Sequence, residues 1–338
     1  MLDTKEDVAD FTRMVRRIAR EARPIVYPRM RQSEAVRLDS IGVVNFVEEF
    51  RTIVQKPFRD EYKDLKAKDF IPPSDMGIRT MDEQWAAKLL SVVGEGKWGT
   101  DAANDSGDVT IAGQLFGGVV GSVFATAAWD QFDVIRAAYG ETNIPTETLT
   151  AARYVVETSI DTALSVGVPS LGIGGFLTSP SVAVTPLPTG SWNLMTFDQI
   201  VSDVIAWVYV VRGASNFIEL QRPDTILMPP SLFGLLVGKV SATTGINAIT
   251  VLRNTMKEHG ITAIEEWSKL TTAGAAGGYR VVLYRRNPDA VQAIVPTPFY
   301  QIAPQMRDWK IRVPSMARCG GSVFIKPLSA AYADNAHS

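Results

Sequence analysis

The chain has 338 residues, of which 46% are hydrophobic and 21% charged, with 34 Lys and Arg against 36 Asp and Glu. A polypeptide of that size and apolar content buries a full core, which excludes disorder as its main state. Its single cysteine, Cys319, cannot close an internal disulfide, so a disulfide scaffold is excluded and a reducing compartment is the simple reading.

The charge is segregated along the chain. Residues 13 to 37 hold eight arginines against two acids, residues 101 to 211 hold eleven acids against Arg136 and Arg153, and residues 212 to 338 hold fourteen bases against eight acids. Segments of opposite sign favour contact between copies of the chain, or pairing inside one copy.

The opening MLDTKEDVADFTRMVRR has acids and no apolar run of signal-peptide length, which predicts no cleaved secretion signal. Val8, Phe11, Val15, Ile18 and Ala19 recur at helical spacing until Pro24 and Pro28 break the pattern, and a second periodic segment runs from Ile41 to Val54. Arg13, Arg16, Arg17, Arg20 and Arg23 repeat every three to four residues and form a basic stripe beside Phe11, Val15 and Ile18. That amphipathic pattern predicts docking on the acidic middle region of a neighbouring copy. Phosphates of a nucleic acid or a scaffold, and a membrane surface, are the competing partners.

After Pro72, Pro73 and Gly77 comes a strand-like run from Trp85 to Val93, then the polar, glycine-rich stretch GEGKWGTDAANDSGD from Gly94 to Asp108. The pattern predicts a long two-stranded hairpin with Lys97 and Trp98 at its tip. A tryptophan in so polar a loop is a candidate hot spot for a covering neighbour. Gly94, Gly96 and Gly99 formally satisfy GxGxxG, but a dinucleotide site also needs a helix opening directly after the glycines, and the following TDAANDSG does not supply one. Val109 to Trp129 carries no charge and is long enough to cross a bilayer. Its glycines, its interrupting Thr110, Gln114, Ser122 and Thr126, and the acids at both ends predict instead apolar sheet and helix buried in a protein interface.

The longest helix signal follows, from Pro145 to Val166, with Leu149, Ala152, Val156, Ile160, Ala163 and Leu164 on one face and Gly167 and Pro169 as its stop. A second helix begins with the capping pair Thr196 and Gln199, buries Ile200, Val204, Trp207 or Val208 and Val211, and stops at Gly213. Then strand and helix alternate: strand over Thr225–Met228, helix over Ser231–Lys239, helix over Asn247–His259 capped by Gly260, and strand from Ile261. From Tyr279 the chain becomes short apolar runs broken by turns, with Asn287-Pro288-Asp289, Pro304 to Arg307 and Ala317 to Gly321 as the connections. Cys319 is expected to pack as a small hydrophobe entering a strand.

Little here can perform catalysis. The two histidines are His259, at a helix end, and His337, in the tail; Glu48-Glu49 and Glu265-Glu266 are adjacent and so point in different directions. No cofactor, metal or catalytic residue is predicted.

The order of elements, together with GFLTSPSV at Gly175 to Val182, RPDTILMPP at Arg222 to Pro230, YRRNPD at Tyr284 to Asp289 and VPSMARCGGSVFIKP at Val313 to Pro327, resembles the major capsid proteins of tailed phages, whose fold is shared with encapsulins. The resemblance implies an α+β chain. Residues 1–68 would be an N-terminal arm, 69–125 an extended hairpin loop, 126–189 and 291–338 a peripheral domain with a spine helix at 145–166, and 190–290 an axial α/β domain.

The resemblance further implies a non-enzymatic subunit of an icosahedral virion shell, assembled in the host cytoplasm as hexamers and pentamers around double-stranded DNA without sequence specificity. Scaffold, portal and cement proteins would be its further partners, and no membrane. Its contact candidates are Arg13, Arg16, Arg17, Arg20, Arg23, Lys97, Trp98, Arg285 and Arg286. An encapsulin-type compartment around a protein cargo and a soluble nucleotide-binding α/β enzyme are the alternatives. Deleting residues 1 to 37 should leave a folded body that fails to assemble correctly; wild-type-like particles in electron micrographs of the truncated chain would show the segment dispensable.

Overall fold

The computed structural model describes residues 64–94, 109–139, 144–188, 190–241 and 245–334, so most of the expected arm lies outside the described residues. In chain order the elements open with α1 (Ala67–Phe70), β1 (Gln84–Gly94), β2 (Val109–Val119), β3 (Gly121–Asp130), α2 (Gln131–Tyr139) and α3 (Ile144–Ser165). They continue with β4 (Gly167–Val168), β5 (Ile173–Gly174), β6 (Ala183–Val184), α4 (Phe197–Ala214), β7 (Thr225–Met228), α5 (Pro230–Gly238), α6 (Ala248–Glu258) and β8 (Ala263–Glu266). The closing set is β9 (Val281–Tyr284), β10 (Val291–Ile294), β11 (Thr297–Gln301), β12 (Gln305–Arg307), β13 (Lys310–Cys319), β14 (Gly321–Phe324) and β15 (Ala331–Ala333).

Two compact units result. The smaller contains residues 126–151 and 303–313; the larger contains residues 64–125 and 152–302 and the chain from Pro314. The centre of the larger unit is a five-stranded mixed sheet in the order β6-β15-β9-β7-β8. Its three inner strands, β15, β9 and β7, are buried on both faces, and their side chains alternate between two cores. Ile226, Met228, Val281, Leu283, Ala331 and Ala333 enter one cluster with the buried stripe of α4 (Ile200, Val204, Trp207, Val208, Val211) and with α5 and α6. Leu227, Val282, Tyr284 and Tyr332 enter the other, with Val156, Ile160, Ala163 and Leu164 of α3 and with Phe176, Trp267 and Phe324. Continuous runs such as VVLY suit a sheet covered on both sides, and their strict alternation decides which residue meets which helix layer.

Helix α3 is fixed by the loop that follows it. Its last carbonyls have no helical partner and would be orphaned. The returning segment satisfies them: Phe176 N donates to Leu164 O at 2.9 Å, Leu177 N to Ser165 O at 2.7 Å, and Thr178 Oγ1 to Val166 O at 2.7 Å. Gly167, at φ +83°, turns the chain out of the helix, and a Cβ on Gly175 would lie 2.1 Å from the Val166 carbonyl carbon, so the GFLT segment can approach only with glycine there.

Buried polar groups tie distant segments to this frame. Asp161 on α3 accepts from Ala67 N at 2.8 Å and pairs with Lys269, whose ammonium also reaches Ser165 Oγ at 2.8 Å. Lys68 pairs with Glu157, one turn earlier on the same helix. Arg280 donates to both carboxylate oxygens of Asp334 at 2.7 and 2.8 Å and lies 4.6 Å from the Tyr332 ring centroid. Tyr284 donates its hydroxyl to Phe70 O at 2.7 Å, and burial pushes the phenol's pKa upward, so it stays a neutral donor.

Several sequence expectations shift by a residue or two, and three change in kind. Val109–Trp129 contains no helix: it is β2 and β3, because its side chains alternate with period two and its glycines are tolerated in a ladder but not in a helix. Gln305–Arg307, expected as part of a turn, is β12, paired with β13 as Gln305↔Arg312, Met306↔Ile311 and Arg307↔Lys310; the turn is Asp308-Trp309, with Asp308 at φ +57°. Cross-strand pairing there overrides the low strand propensity of the residues. Ala317, Arg318 and Cys319 are the buried end of β13 rather than a turn, since Arg318 Nη1 finds Thr80 O at 2.5 Å and the reversal needs only Gly320 and Gly321. Among the described residues no helix is long and apolar enough to cross a membrane.

Replacing Asp161 with alanine removes the partner of Lys269 and of the Ala67 N–H together. Breaking such a pair should lower the unfolding free energy by about 3 kcal/mol, read as a shift in the urea midpoint; a midpoint equal to wild type would show the node contributes nothing.

Candidate assembly interface

The β1–β2 ribbon is an antiparallel ladder running without a break from Gln84↔Val119 to Gly94↔Val109. Residues directly opposite one another share a face, so the register assigns two surfaces. One holds Trp85, Ala87 and Leu89 with Phe116 and Gly118. At its foot Trp85 meets Phe116 edge-on at 5.9 Å and packs in a small cluster with Val120 and Ile294, while Val120 N donates to Glu83 O at 2.8 Å. The other face holds Leu90 with Val109, Ile111, Leu115 and Val119, with Gln84 opposite Val119 and Lys88 opposite Leu115. The five apolar side chains are exposed, Ile111 at 68% and Leu115 at 72%. On β3, Phe124 is likewise exposed, at 73%.

A two-stranded ribbon is marginal in water by itself, and an open apolar ribbon is an aggregation hazard. The alternation V-T-I-A-G-Q-L that places the stripe was legible in the sequence, where these residues are expected as sheet and helix buried in a protein interface; within one copy they are exposed strand.

Arg13, Arg16, Arg17, Arg20, Arg23, Lys97 and Trp98 lie outside the described residues. Arg285 and Arg286 follow β9 and are engaged within the subunit: Arg285 Nη1 donates to Glu219 O at 2.9 Å, and Arg286 pairs with Glu265 at 3.3 Å, donates its N–H to Asp224 at 2.8 Å and reaches the Asp69 carbonyl. The Asn287 turn beside them is closed by Asp289 N donating to Asn287 Oδ1 at 2.8 Å.

The chemistry-bearing side chains are dispersed. His259 caps the end of α6 and shares a 3.0 Å hydrogen bond between Nδ1 and the Tyr209 hydroxyl. Glu265 faces Arg286, whereas Glu266 is exposed. Among the described residues no group of three or more His, Cys, Asp and Glu is placed to hold a metal ion. Gly94, the first glycine of the GxGxxG string, ends β1, and the chain returns as an antiparallel neighbour; a dinucleotide site needs a helix and then a parallel strand. The arrangement can bind surfaces, and no described pocket assembles a nucleophile with a base.

Comparison with known proteins agrees with that surface chemistry. The family model described as major capsid protein matches residues 94–335. The capsid of Myoviridae phage XM1 aligns over 85% of this chain and 97% of its own at a TM-score of 0.72 and 16% identity. The capsid of a native GTA particle aligns over 89% and 100% at 0.61 and 11% identity, and a Mycobacterium phage Ogopogo structure over 86% and 98% at 0.54 and 14%. No curated protein sequence matches the chain significantly.

Cys319, buried at the end of β13, has its thiol pKa pushed up to about 11, first by desolvation. Ellman's reagent at pH 8 should therefore leave the native chain unlabelled and titrate one thiol after unfolding in guanidinium. Because the folded pKa is raised, the thiol's contribution to stability is complete below the unfolded value and is lost as pH climbs toward 11; rapid labelling of the native chain at pH 8 would contradict this burial.

Proposed function

The chain belongs to the major capsid protein family, and from that premise we propose that many copies close an icosahedral phage-head shell around double-stranded DNA, performing no reaction. The observation that carries this reading is the β1–β2 ribbon, whose outer face is an apolar stripe left open by the subunit itself. A surface of that kind belongs against another molecule. In a shell, the other molecule is the next copy. Many modest contacts repeated around a closed lattice then add to a stable particle, although each is weak alone.

On this reading the ribbon is the extended loop of residues 69–125, α3 the spine of a peripheral domain formed by 126–189 and 291–338, and 190–290 the axial domain. The Arg13 to Arg23 stripe docks on the acidic middle region of a neighbour, and Lys97 and Trp98 extend the ribbon's contact. Arg285 and Arg286, already tied to Glu219, Asp224 and Glu265, act by shaping the surface around the Asn287 turn rather than as free charges. Enclosed DNA is met through its phosphates without sequence readout. Assembly takes place in the host cytoplasm as hexamers and pentamers, with scaffold, portal and cement proteins as further partners.

Replacing Ile111 and Leu115 with aspartate tests the reading. Both side chains are exposed in the subunit, so the urea midpoint should stay within about 0.5 kcal/mol of wild type, while sedimentation and electron microscopy should show subunits or small oligomers where wild type gives closed particles. Normal particles from the double variant, or a wild-type chain that stays monomeric at every concentration, would overturn it.

A further inference from the structure

Among the described residues the buried arginines are Arg280 and Arg318, and only the first meets a carboxylate, that of Asp334. Arg318, on β13, is 7% exposed, and its Nη1 donates to Thr80 O at 2.5 Å in the segment that leads into β1. Its Nε has no partner, and no carboxylate among the described residues pairs with it. The buried acids are matched: Asp161 pairs with Lys269, and Asp203 accepts from Trp192 Nε1 at 2.8 Å. A guanidinium cannot shed its proton, and a charge held out of water is costly unless an opposite charge meets it. Arg318 stands directly opposite Thr297 in the β11–β13 ladder, so the two side chains share a face, and the buried Thr297 hydroxyl is also without a partner. A third buried group of this kind is Trp85 Nε1. A Cβ on Gly320, just past the end of β13, would lie 3.4 Å from it, which puts the indole N–H at this end of the strand.

We infer that Arg318, with Thr297 and Trp85 beside it, forms a site for one small monovalent anion of chloride size at the foot of the β1–β2 ribbon. The donor set selects the ligand. Guanidinium and indole N–H groups only donate, so neither satisfies the other, and the hydroxyl accepts from one of them at most. A water molecule accepts two hydrogen bonds but carries no charge, and so leaves the guanidinium unbalanced. An anion supplies both the acceptor and the charge. Trp85 packs with Val120, Ile294 and Phe116, so the surroundings are apolar and close. In such a place a singly charged, compact ion balances one guanidinium, whereas a phosphate dianion would bring excess charge into a dry interior. The bound ion ties the end of β13 to the segment before β1, and the ribbon's foot is held more firmly with it than without it. This is a property of the single subunit and does not rest on the shell reading.

The test uses the full chain and chloride as the probe. Broadening of the chloride NMR line reads the bound ion directly, and thermal unfolding compares sodium chloride with the far bulkier sodium gluconate at equal ionic strength. Wild type should broaden the line and melt about 2 °C higher in chloride at ten times the dissociation constant. Arg318→Met keeps the bulk and removes the charge: its circular dichroism should match wild type, the excess broadening should vanish, and the two melting temperatures should coincide. Thr297→Val leaves the cation in place and should weaken chloride binding about tenfold while the chain stays folded. Should Arg318→Met fail to fold, the threonine variant decides, and an affinity equal to wild type overturns the inference. Equal melting of wild type in the two salts, or broadening by Arg318→Met as strong as wild type, also overturns it and assigns the balance to water or to a carboxylate from beyond the described residues. Particles in electron micrographs read the shell proposal separately, and none of these outcomes alters it.

Discussion

The constraint on which the rest of the structure depends is the double burial of the three inner strands of the five-stranded sheet. Because successive side chains of β7, β9 and β15 point to opposite faces, Leu227, Val282, Tyr284 and Tyr332 are committed to the α3 core, and Ile226, Met228, Val281, Leu283, Ala331 and Ala333 to the α4 core. A slip of one residue in any of these strands would exchange the two sets and misfit both helix layers at once. Register is therefore held from two sides, and the loops and ribbons attached to the sheet inherit a rigid base.

That rigidity lets the chain carry surfaces it does not itself cover. The Asp161, Lys269 and Ala67 node, the Arg280 and Asp334 pair, and the Tyr284 and Tyr332 hydroxyls bonded to the Phe70 and Phe176 carbonyls fasten the peripheral segments with polar contacts in a dry interior. Such groups are costly unless every partner is present, so they specify one arrangement of the segments rather than simply adding stability. Among the described residues the β1–β2 ribbon is fixed at its foot, by Trp85 and Val120, and its outer stripe stays open. A stable body with open ribbons is the division expected of a molecule whose last folding step is association.

Both exposed ribbons are two-faced, with opposite chemistry. The β1–β2 ribbon presents mainly aliphatic side chains with one lysine, Lys88, whereas the β12–β13 hairpin presents cations around a tryptophan. Apolar area supplies most of the free energy of association and charge selects the partner and the orientation, so a lattice that uses both has strength and direction from separate surfaces. The family match over residues 94–335 includes β2 and the hairpin, and the TM-score of 0.72 to a phage capsid extends the likeness to the order of the elements.

The sequence by itself determined the elements with strong periodicity or punctuation. The Pro145 start and Gly167 stop bracketed α3, the Thr196 and Gln199 pair placed the start of α4, and the β-branched and apolar runs at 225–228, 281–284 and 291–294 are strands. It also showed that no constellation of histidines or cysteines exists to make a conventional active site. Only the tertiary structure decided the rest. Val109–Trp129 is an exposed ribbon strand followed by a half-buried strand because its pairing with β1 and β13, which local pattern does not encode, sets its conformation. Gln305–Arg307 is a strand because β13 folds back on it, and Arg285 and Arg286 are tied within the subunit because Glu219, Asp224 and Glu265 arrive from distant positions. Local periodicity reports what a residue needs to bury. Which surface meets it is fixed by contacts between residues far apart in the chain, and a single sequence does not write those down.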